Sequence, residues 1–101
     1  MIKIKSVLIA DELEQECVDL LHNSGVHVVK KIKLNEKALI EELKNFDAVI
    51  VRSATKITRT VIANTHSSLK LIGRAGTGVD NIDVEAATEF GVIVINTPGK
   101  T

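Results

Sequence analysis

The sequence predicts an α/β fold built on one doubly wound parallel sheet, and three observations lead to this prediction. Short runs rich in valine and isoleucine, such as residues 48–51 and 92–95, lack polar alternation, which is typical of strands buried on both faces. Segments with helical spacing alternate with these runs, as in βαβ units. A chain of 101 residues has the size of a single domain. Five strands in this length favour a flavodoxin-like strand order.

The first strand and helix are predicted from residues 3–25. Residues 3–10 end in a continuous apolar run, and Asp11 then stands as a helix N-cap with Glu14 at the third helical position. Gly25 is placed where a left-handed residue ends the helix. The helical spacing predicts one buried stripe made of Leu13, Cys17, Leu20, Leu21 and Ser24.

The remaining elements follow the same alternation. Residues 26–30 form a second strand, and Asn35 caps a second helix whose apolar positions Ala38, Leu39 and Leu43 face inward. A third strand at residues 48–51 and a third helix at 58–65 come next. The fourth strand is predicted at residues 69–72, Asp83 caps a fourth helix, and the fifth strand is 92–95.

Composition and charge exclude several classes of protein. The chain is 45% hydrophobic, which excludes disorder, and its 13 basic residues balance 13 acidic ones, so no net field attracts nucleic acid. Aromatic residues make up 2%, which leaves few platforms for stacking bases. No run approaches the roughly 20 apolar residues of a membrane helix. The lone Cys17, which its spacing places in the core, indicates a reducing compartment. We therefore expect a cytoplasmic protein with neither nucleic-acid nor membrane partners.

Arginines mark the predicted ligand-binding edge of the sheet. In doubly wound sheets, ligands bind beyond the carboxyl ends of the strands, at the point where strand order reverses. Arg52 and Arg74 directly follow two predicted strands, and a guanidinium grips a carboxylate or phosphate with two hydrogen bonds. Ser53, Thr55 and the backbone amides of residues 75–77 complete a possible anion nest. The alternative is that each arginine pairs with an acidic side chain or lies in water.

Other motifs in the sequence do not carry a catalytic or cofactor site. The glycines of residues 73–78 do not make a dinucleotide fingerprint, because Asn81 stands in place of the third glycine. Residues 99–101 end like a phosphate-binding loop, but Val94 occupies the position of its first glycine. The three histidines have no carboxylate or cysteine at metal spacing. The residues therefore predict an anion-binding domain with no catalytic residues and no metal site of its own.

Three stretches carry a family resemblance that covers essentially the whole chain. They are VRSATKIT at residues 51–58, GRAGTGVDN at 73–81 and VINTP at 94–98. Here the chain resembles the NAD-dependent D-2-hydroxyacid dehydrogenases, in particular members that interconvert 3-phosphoglycerate and 3-phosphohydroxypyruvate. The resemblance implies that residues 1–98 are the N-terminal portion of a substrate-binding domain. In such proteins the nucleotide-binding domain and the catalytic arginine, glutamate and histidine lie downstream, so this chain alone is expected to be inactive.

The resemblance also implies roles for individual residues. Arg52 and Arg74 would meet the anionic substrate, and Ser53, Ala75 and Gly76 would line the same pocket. Thr77 and Gly78 would reach the nicotinamide side of NAD, most of which is held by the nucleotide-binding domain. Residues 99–101 depart from the family pattern and are interpreted as a truncated hinge. The complete enzyme is expected to be a homo-oligomer.

Two other functions remain open at the level of the sequence. One is a stand-alone module that binds small anions through Arg52 and Arg74 without redox chemistry. The other is a flavodoxin-like interaction or flavin-binding domain, which the scarcity of aromatic side chains disfavours. Affinity for phosphorylated acids distinguishes the first, and the colour of the purified protein tests the second.

Overall fold

Strands and helices alternate along the whole described part of the chain. The computed structural model describes residues 4–76 and 80–97. In order the elements are β1 (Ser6–Ile9), α1 (Gln15–Asn23), β2 (His27–Lys30), α2 (Glu36–Leu43), β3 (Ala48–Val51), α3 (Arg59–Thr65), β4 (Leu71–Ala75), α4 (Val84–Glu89) and β5 (Ile93–Thr97). Within these ranges no helix combines the length and apolarity needed to cross a membrane.

The five strands form one parallel sheet in the order β2-β1-β3-β4-β5. This order confirms the predicted flavodoxin-like, doubly wound arrangement. The chain runs outward in one direction from β1 to β2 and in the other from β3 to β5, so the strand order reverses between β1 and β3. The gap beyond the carboxyl ends of these two strands is where such sheets bind ligands.

The two faces of the sheet are covered unequally. Helices α2, α3 and α4 pack on one face, where Leu8, Val49 and Ile72 are fully buried. Helix α1 packs on the other face, with Val18 as its buried side chain against Val7 and Ile9. Each apolar side chain removed from water stabilises the fold by about 1.5–3 kcal/mol before chain entropy is counted. The larger of the two cores lies on the face covered by three helices, because more buried apolar side chains pack there.

The start of α1 differs from the sequence prediction. The helix begins at Gln15, its N-cap is Glu14 without a side-chain cap bond, and Asp11 lies outside it. Asp11 is instead buried, and its carboxylate accepts hydrogen bonds from the backbone N–H groups of Arg52 and Thr55 at 2.7 and 3.1 Å. The carboxylate thus binds amides beyond a neighbouring strand in preference to amides of its own helix.

The predicted buried stripe of α1 was also wrong in part. Leu20 is 71% exposed and Cys17 is exposed, while Leu13 and Leu21 are half-buried. The helix begins later than predicted, and Val18 is the residue that its position turns toward the sheet. The interpretation of Cys17 as a core residue is therefore wrong.

Strand β4 is shifted toward the C-terminus relative to the prediction. It spans Leu71–Ala75, so Arg74 and Ala75 lie within the strand and not after it. Gly73 lies within this strand, and a Cβ built on it would make ordinary contacts of 3.7 and 3.8 Å with side-chain atoms of Ile50 and Ile95. The ladder consequently continues to the pair formed by Arg74 and Val51.

Helix caps predicted from the sequence are present at α2 and α4. Asn35 accepts a hydrogen bond from the N–H of Ala38 at 2.7 Å, and Asp83 accepts one from Ala86 at 2.9 Å. Thr58 caps α3 through a 3.3 Å bond from the N–H of Val61. Gly25 has a φ of 88°, as predicted for the residue that follows the first helix.

The cap of α2 gives a first stability prediction. Asn35→Ala removes an acceptor for one of the free amides of the helix and should lower the free energy of unfolding by about 1 kcal/mol. Urea denaturation followed by circular dichroism measures this change. Asn45→Ala is the matched control, since the Asn45 amide makes only a 3.5 Å bond to the carbonyl of Glu41. Equal losses in the two variants would contradict a capping role for Asn35.

Candidate functional site

The carboxyl ends of the central strands bring the candidate residues to one edge of the sheet. Asp11 follows β1, Arg52 follows β3 and Gly76 follows β4. The described residues form two cavities at this edge, and Arg52 lines both. Arg52 is thus the central cation of the site.

The first cavity lies at the reversal of strand order and has a volume of about 440 Å³. Arg52 and Ser53 line it together, beyond the gap between β1 and β3. The other lining residues are Asp11, Glu12, Ile32, Lys33, Leu34, Ala54 and Thr55. Lys33 places a second cation at this cavity from a loop where its φ is 59°, a left-handed conformation uncommon outside glycine.

The second cavity lies between Arg52 and helix α1 and has a volume of about 340 Å³. It joins Arg52 with Ala75 and Gly76, whereas Ser53, predicted to line the same pocket, lines the first cavity. Helix α1 and the segment before it supply the rest of the lining: Leu13, Glu14, Glu16, Cys17 and Leu20. The carboxylates of Glu14 and Glu16 oppose the charge of Arg52 there, so an anion is attracted less strongly than by an arginine alone.

Arg74 reaches the same edge from inside β4. Its backbone pairs with Val51 and Asn96, one position before the level of Arg52. A Cβ on Gly76 would lie 3.7 Å from Nη1 of Arg74, which places the guanidinium beside Gly76. Gly76 has a φ of 122°, a conformation that strains any residue with a side chain. Arg74 therefore lies beside Gly76, which lines the second cavity, but Arg74 is not itself among the described residues that line it.

The third arginine of the chain is occupied elsewhere. Arg59 on α3 forms an exposed salt bridge with Glu89 on α4, with 2.5 Å between Nη1 and Oε2. This hydrogen bond and the charge of Glu89 raise the pKa of Arg59 above its usual value. Arg59 is not part of the carboxyl edge and provides a matched control for substitutions of Arg52.

Asn81 is a site residue that the sequence reasoning did not find. Its side-chain N–H₂ group donates to the backbone carbonyls of Arg52 and Thr55, at 2.5 and 2.6 Å. The parallel bridge between Ile57 and Ile82 brings the two segments together. The sequence offered only one signal, the position of Asn81 where a dinucleotide fingerprint has glycine.

The described residues do not form a dinucleotide-binding loop. Such a loop needs a glycine-rich turn between a strand and the first turn of a helix. Gly73 instead lies inside β4, packed between Ile50 and Ile95, and α4 begins only at Val84. Thr77 and Gly78, predicted to approach the nicotinamide, lie outside the described residues.

The fold and the site together define an α/β domain with cavities at the carboxyl edge of a flavodoxin-like parallel sheet. Residues 7–101 match the family model for the D-isomer specific 2-hydroxyacid dehydrogenase, catalytic domain. The chain belongs to this family. The resemblance inferred from residues 51–58, 73–81 and 94–98 is thereby confirmed.

Individual relatives agree with the family assignment. The chain is 50% identical over 95 residues to the D-3-phosphoglycerate dehydrogenase of Sus scrofa, and 43% identical over 93 residues to that of Archaeoglobus fulgidus. These matches cover 94% and 92% of this chain, but 18% of each relative. The chain therefore spans less than a fifth of the length of these curated relatives.

Solved structures show the same fold. The NAD⁺-bound 3-phosphoglycerate dehydrogenase of Entamoeba histolytica superposes with a TM-score of 0.82 and 33% identity, covering 95% of this chain and 33% of that one. The PH0520 protein of Pyrococcus horikoshii superposes with a TM-score of 0.85 and 30% identity, covering 95% and 28%.

Proposed function

We propose that this chain is the N-terminal portion of the substrate-binding domain of an NAD-dependent D-3-phosphoglycerate dehydrogenase. The complete enzyme, a cytoplasmic homo-oligomer, oxidises 3-phosphoglycerate to 3-phosphohydroxypyruvate in the first step of serine synthesis. Residues 1–98 belong to this domain, and residues 99–101 lead into the hinge. The nucleotide-binding domain, which holds NAD, belongs to the part of the enzyme outside this chain.

One observation carries the proposal: Arg52 and Ser53 line a cavity at the reversal of strand order in a chain 50% identical to D-3-phosphoglycerate dehydrogenases. The substrate has a carboxylate and a phosphate, and each is a suitable partner for a guanidinium. Arg52 borders both cavities, and Arg74 approaches one of them beside Gly76. Two arginines at one edge suit a ligand with two anionic ends.

The chain's own contribution to the reaction is binding and orientation. Arg52 and Arg74 hold the anionic groups, Ser53 donates its hydroxyl, and Ala75 and Gly76 offer backbone close to the ligand. Fixing a substrate against a fixed partner lowers the entropic part of the barrier to reaction. We assign no proton transfer to these residues, and the chain alone is expected to be inactive.

Nuclear magnetic resonance on the ¹⁵N-labelled chain tests the proposed substrate. Addition of 3-phosphoglycerate should shift the amide signals of Arg52, Ser53, Ala75 and Gly76 in a saturable way, because these residues line the proposed site. Inorganic phosphate at the same concentration should shift them less, since it lacks the carboxylate. A folded chain whose signals at these residues do not move with 3-phosphoglycerate would contradict the proposal.

A further inference from the structure

The turn that carries Arg52 is held by side chains from two other segments. The turn spans residues 52–55 and leaves β3 after Val51; Arg52, Ser53 and Ala54 are exposed in it. The backbone groups of Arg52 and Thr55 at its two ends are nevertheless bound to side chains.

Asp11 binds the donors of this turn. Its Oδ2 accepts from the backbone N–H groups of Arg52 at 2.7 Å and Thr55 at 3.1 Å. Its Oδ1 accepts from the Thr55 hydroxyl at 2.5 Å. The Asp11 residue is only 5% exposed, and both of its carboxylate oxygens are occupied by the turn. Burying a charge is unfavourable unless hydrogen bonds replace water, and here the turn supplies all three.

Asn81 binds the acceptors of the same turn. Its Nδ2 donates to the carbonyl of Arg52 at 2.5 Å and to that of Thr55 at 2.6 Å. The N–H groups of Arg52 and Thr55 therefore bind one side chain and their carbonyls bind another. Such pairing fixes the peptide planes on both sides of the turn, and with them the direction in which the Arg52 side chain leaves the backbone.

The opposite edge of the sheet contains a comparable contact. Asp47 precedes β3, and its Oδ2 accepts from the N–H groups of Lys5 and Ser6 at 2.8 and 3.2 Å. The two aspartates thus make the same kind of carboxylate–amide contact at opposite ends of β1 and β3. Asp47 lines neither of the two cavities at the carboxyl edge, which makes it a matched reference for Asp11.

We propose that Asp11 and Asn81 are positioning residues that hold the Arg52 turn in the geometry that binds the anionic substrate. This proposal rests on the proposed function, since it specifies how the same site is kept in place. Asp11 also lines the first cavity, but both of its carboxylate oxygens bind the turn. Asn81 binds the turn through Nδ2, so each residue acts on the substrate by way of Arg52. A displacement of about 1 Å at a binding group is sufficient to reduce catalysis or binding strongly.

The test compares Asp11→Asn with Asp47→Asn in the ¹⁵N-labelled chain. Asp11→Asn should move the amide proton signals of Arg52 and Thr55 upfield and raise the Kd for 3-phosphoglycerate by about tenfold or more. Asp47→Asn should lower the melting temperature about as much as Asp11→Asn does, because each removes a carboxylate that binds backbone amides. It should leave the Kd for 3-phosphoglycerate within about twofold, because Asp47 lies at the other edge of the sheet. Equal Kd values for Asp11→Asn and the unsubstituted chain would overturn the positioning role.

Asn81→Ala and Thr55→Val keep the test decisive if Asp11→Asn does not fold. Each removes polar contacts of the turn without removing the buried carboxylate, and each should raise the Kd while circular dichroism remains unchanged. Folded variants with an unchanged Kd would overturn the proposal. A different result, the absence of any 3-phosphoglycerate response in the unsubstituted chain, contradicts the proposed function itself and the positioning role with it.

Discussion

Arg52→Ala is expected to raise the Kd of this chain for 3-phosphoglycerate by between about 10-fold and 100-fold. A hydrogen bond to a charged group contributes about 1.5–3 kcal/mol, and Arg52 is the cation common to both cavities at the edge. A titration with 3-phosphoglycerate measures this Kd. The amide signals of residues 73–76 report it at positions away from the substitution.

Arg59→Ala is the control for this substitution. It removes the same side chain and breaks the exposed pair with Glu89, but it lies on α3, away from the carboxyl edge. Its Kd should equal that of the unsubstituted chain. If Arg52→Ala binds no more weakly than Arg59→Ala, Arg52 does not contact the substrate.

Arg74 is expected to act together with Arg52. In the proposed function, the two arginines approach one ligand from neighbouring strands, so removing either one should alter the contribution of the other. Arg74→Ala alone should weaken binding, and the double variant should lose less than the two single losses combined. Fully additive losses would mean that the two arginines contribute to binding independently.

The strand order was predictable because parallel strands leave a strong local signal. Buried runs such as residues 48–51 have no polar alternation, and helical segments separate them at regular intervals. Right-handed crossovers then restrict the possible topologies. The same reasoning placed Arg52 and Ser53 at the carboxyl edge of the sheet, because their position depends only on where the buried strand before them ends.

The hydrogen bonds of Asp11 and Asn81 were not predictable, because they join residues far apart in the chain. An aspartate after a strand fits a helix cap equally well, and local spacing gives no means of choosing. Asp11 binds amides 41 and 44 residues away, which become available only once β1 and β3 pair. The pairing of β1 with β3 therefore determines that Asp11 binds the Arg52 turn and does not cap α1.

The burial of α1 shows a related limit. Helical spacing identifies a stripe of apolar residues but does not say how much of it the sheet covers. Leu20 belongs to that stripe, yet it is 71% exposed beside the cavity that contains Arg52. Leu43 on α2 belongs to a similar stripe and is fully buried.

Leu43→Ala should therefore lower the free energy of unfolding by about 2–5 kcal/mol. The substitution removes apolar atoms from the core between the sheet and helices α2, α3 and α4, and it leaves a cavity. For a domain whose total stability is about 5–15 kcal/mol, this is a large share. Urea denaturation at 25 °C measures the loss, and the melting temperature should fall with it.

Leu20→Ala makes the same chemical change on α1. It tests whether the loss of stability depends on burial or on membership of an apolar stripe. Most of the Leu20 side chain already lies in water, and alanine favours helix at least as much as leucine. The free energy of unfolding should stay within about 0.5 kcal/mol of the unsubstituted value. A loss at Leu20 as large as that at Leu43 would mean that α1 buries the stripe that its spacing predicts, and that Leu20 faces apolar contacts in solution.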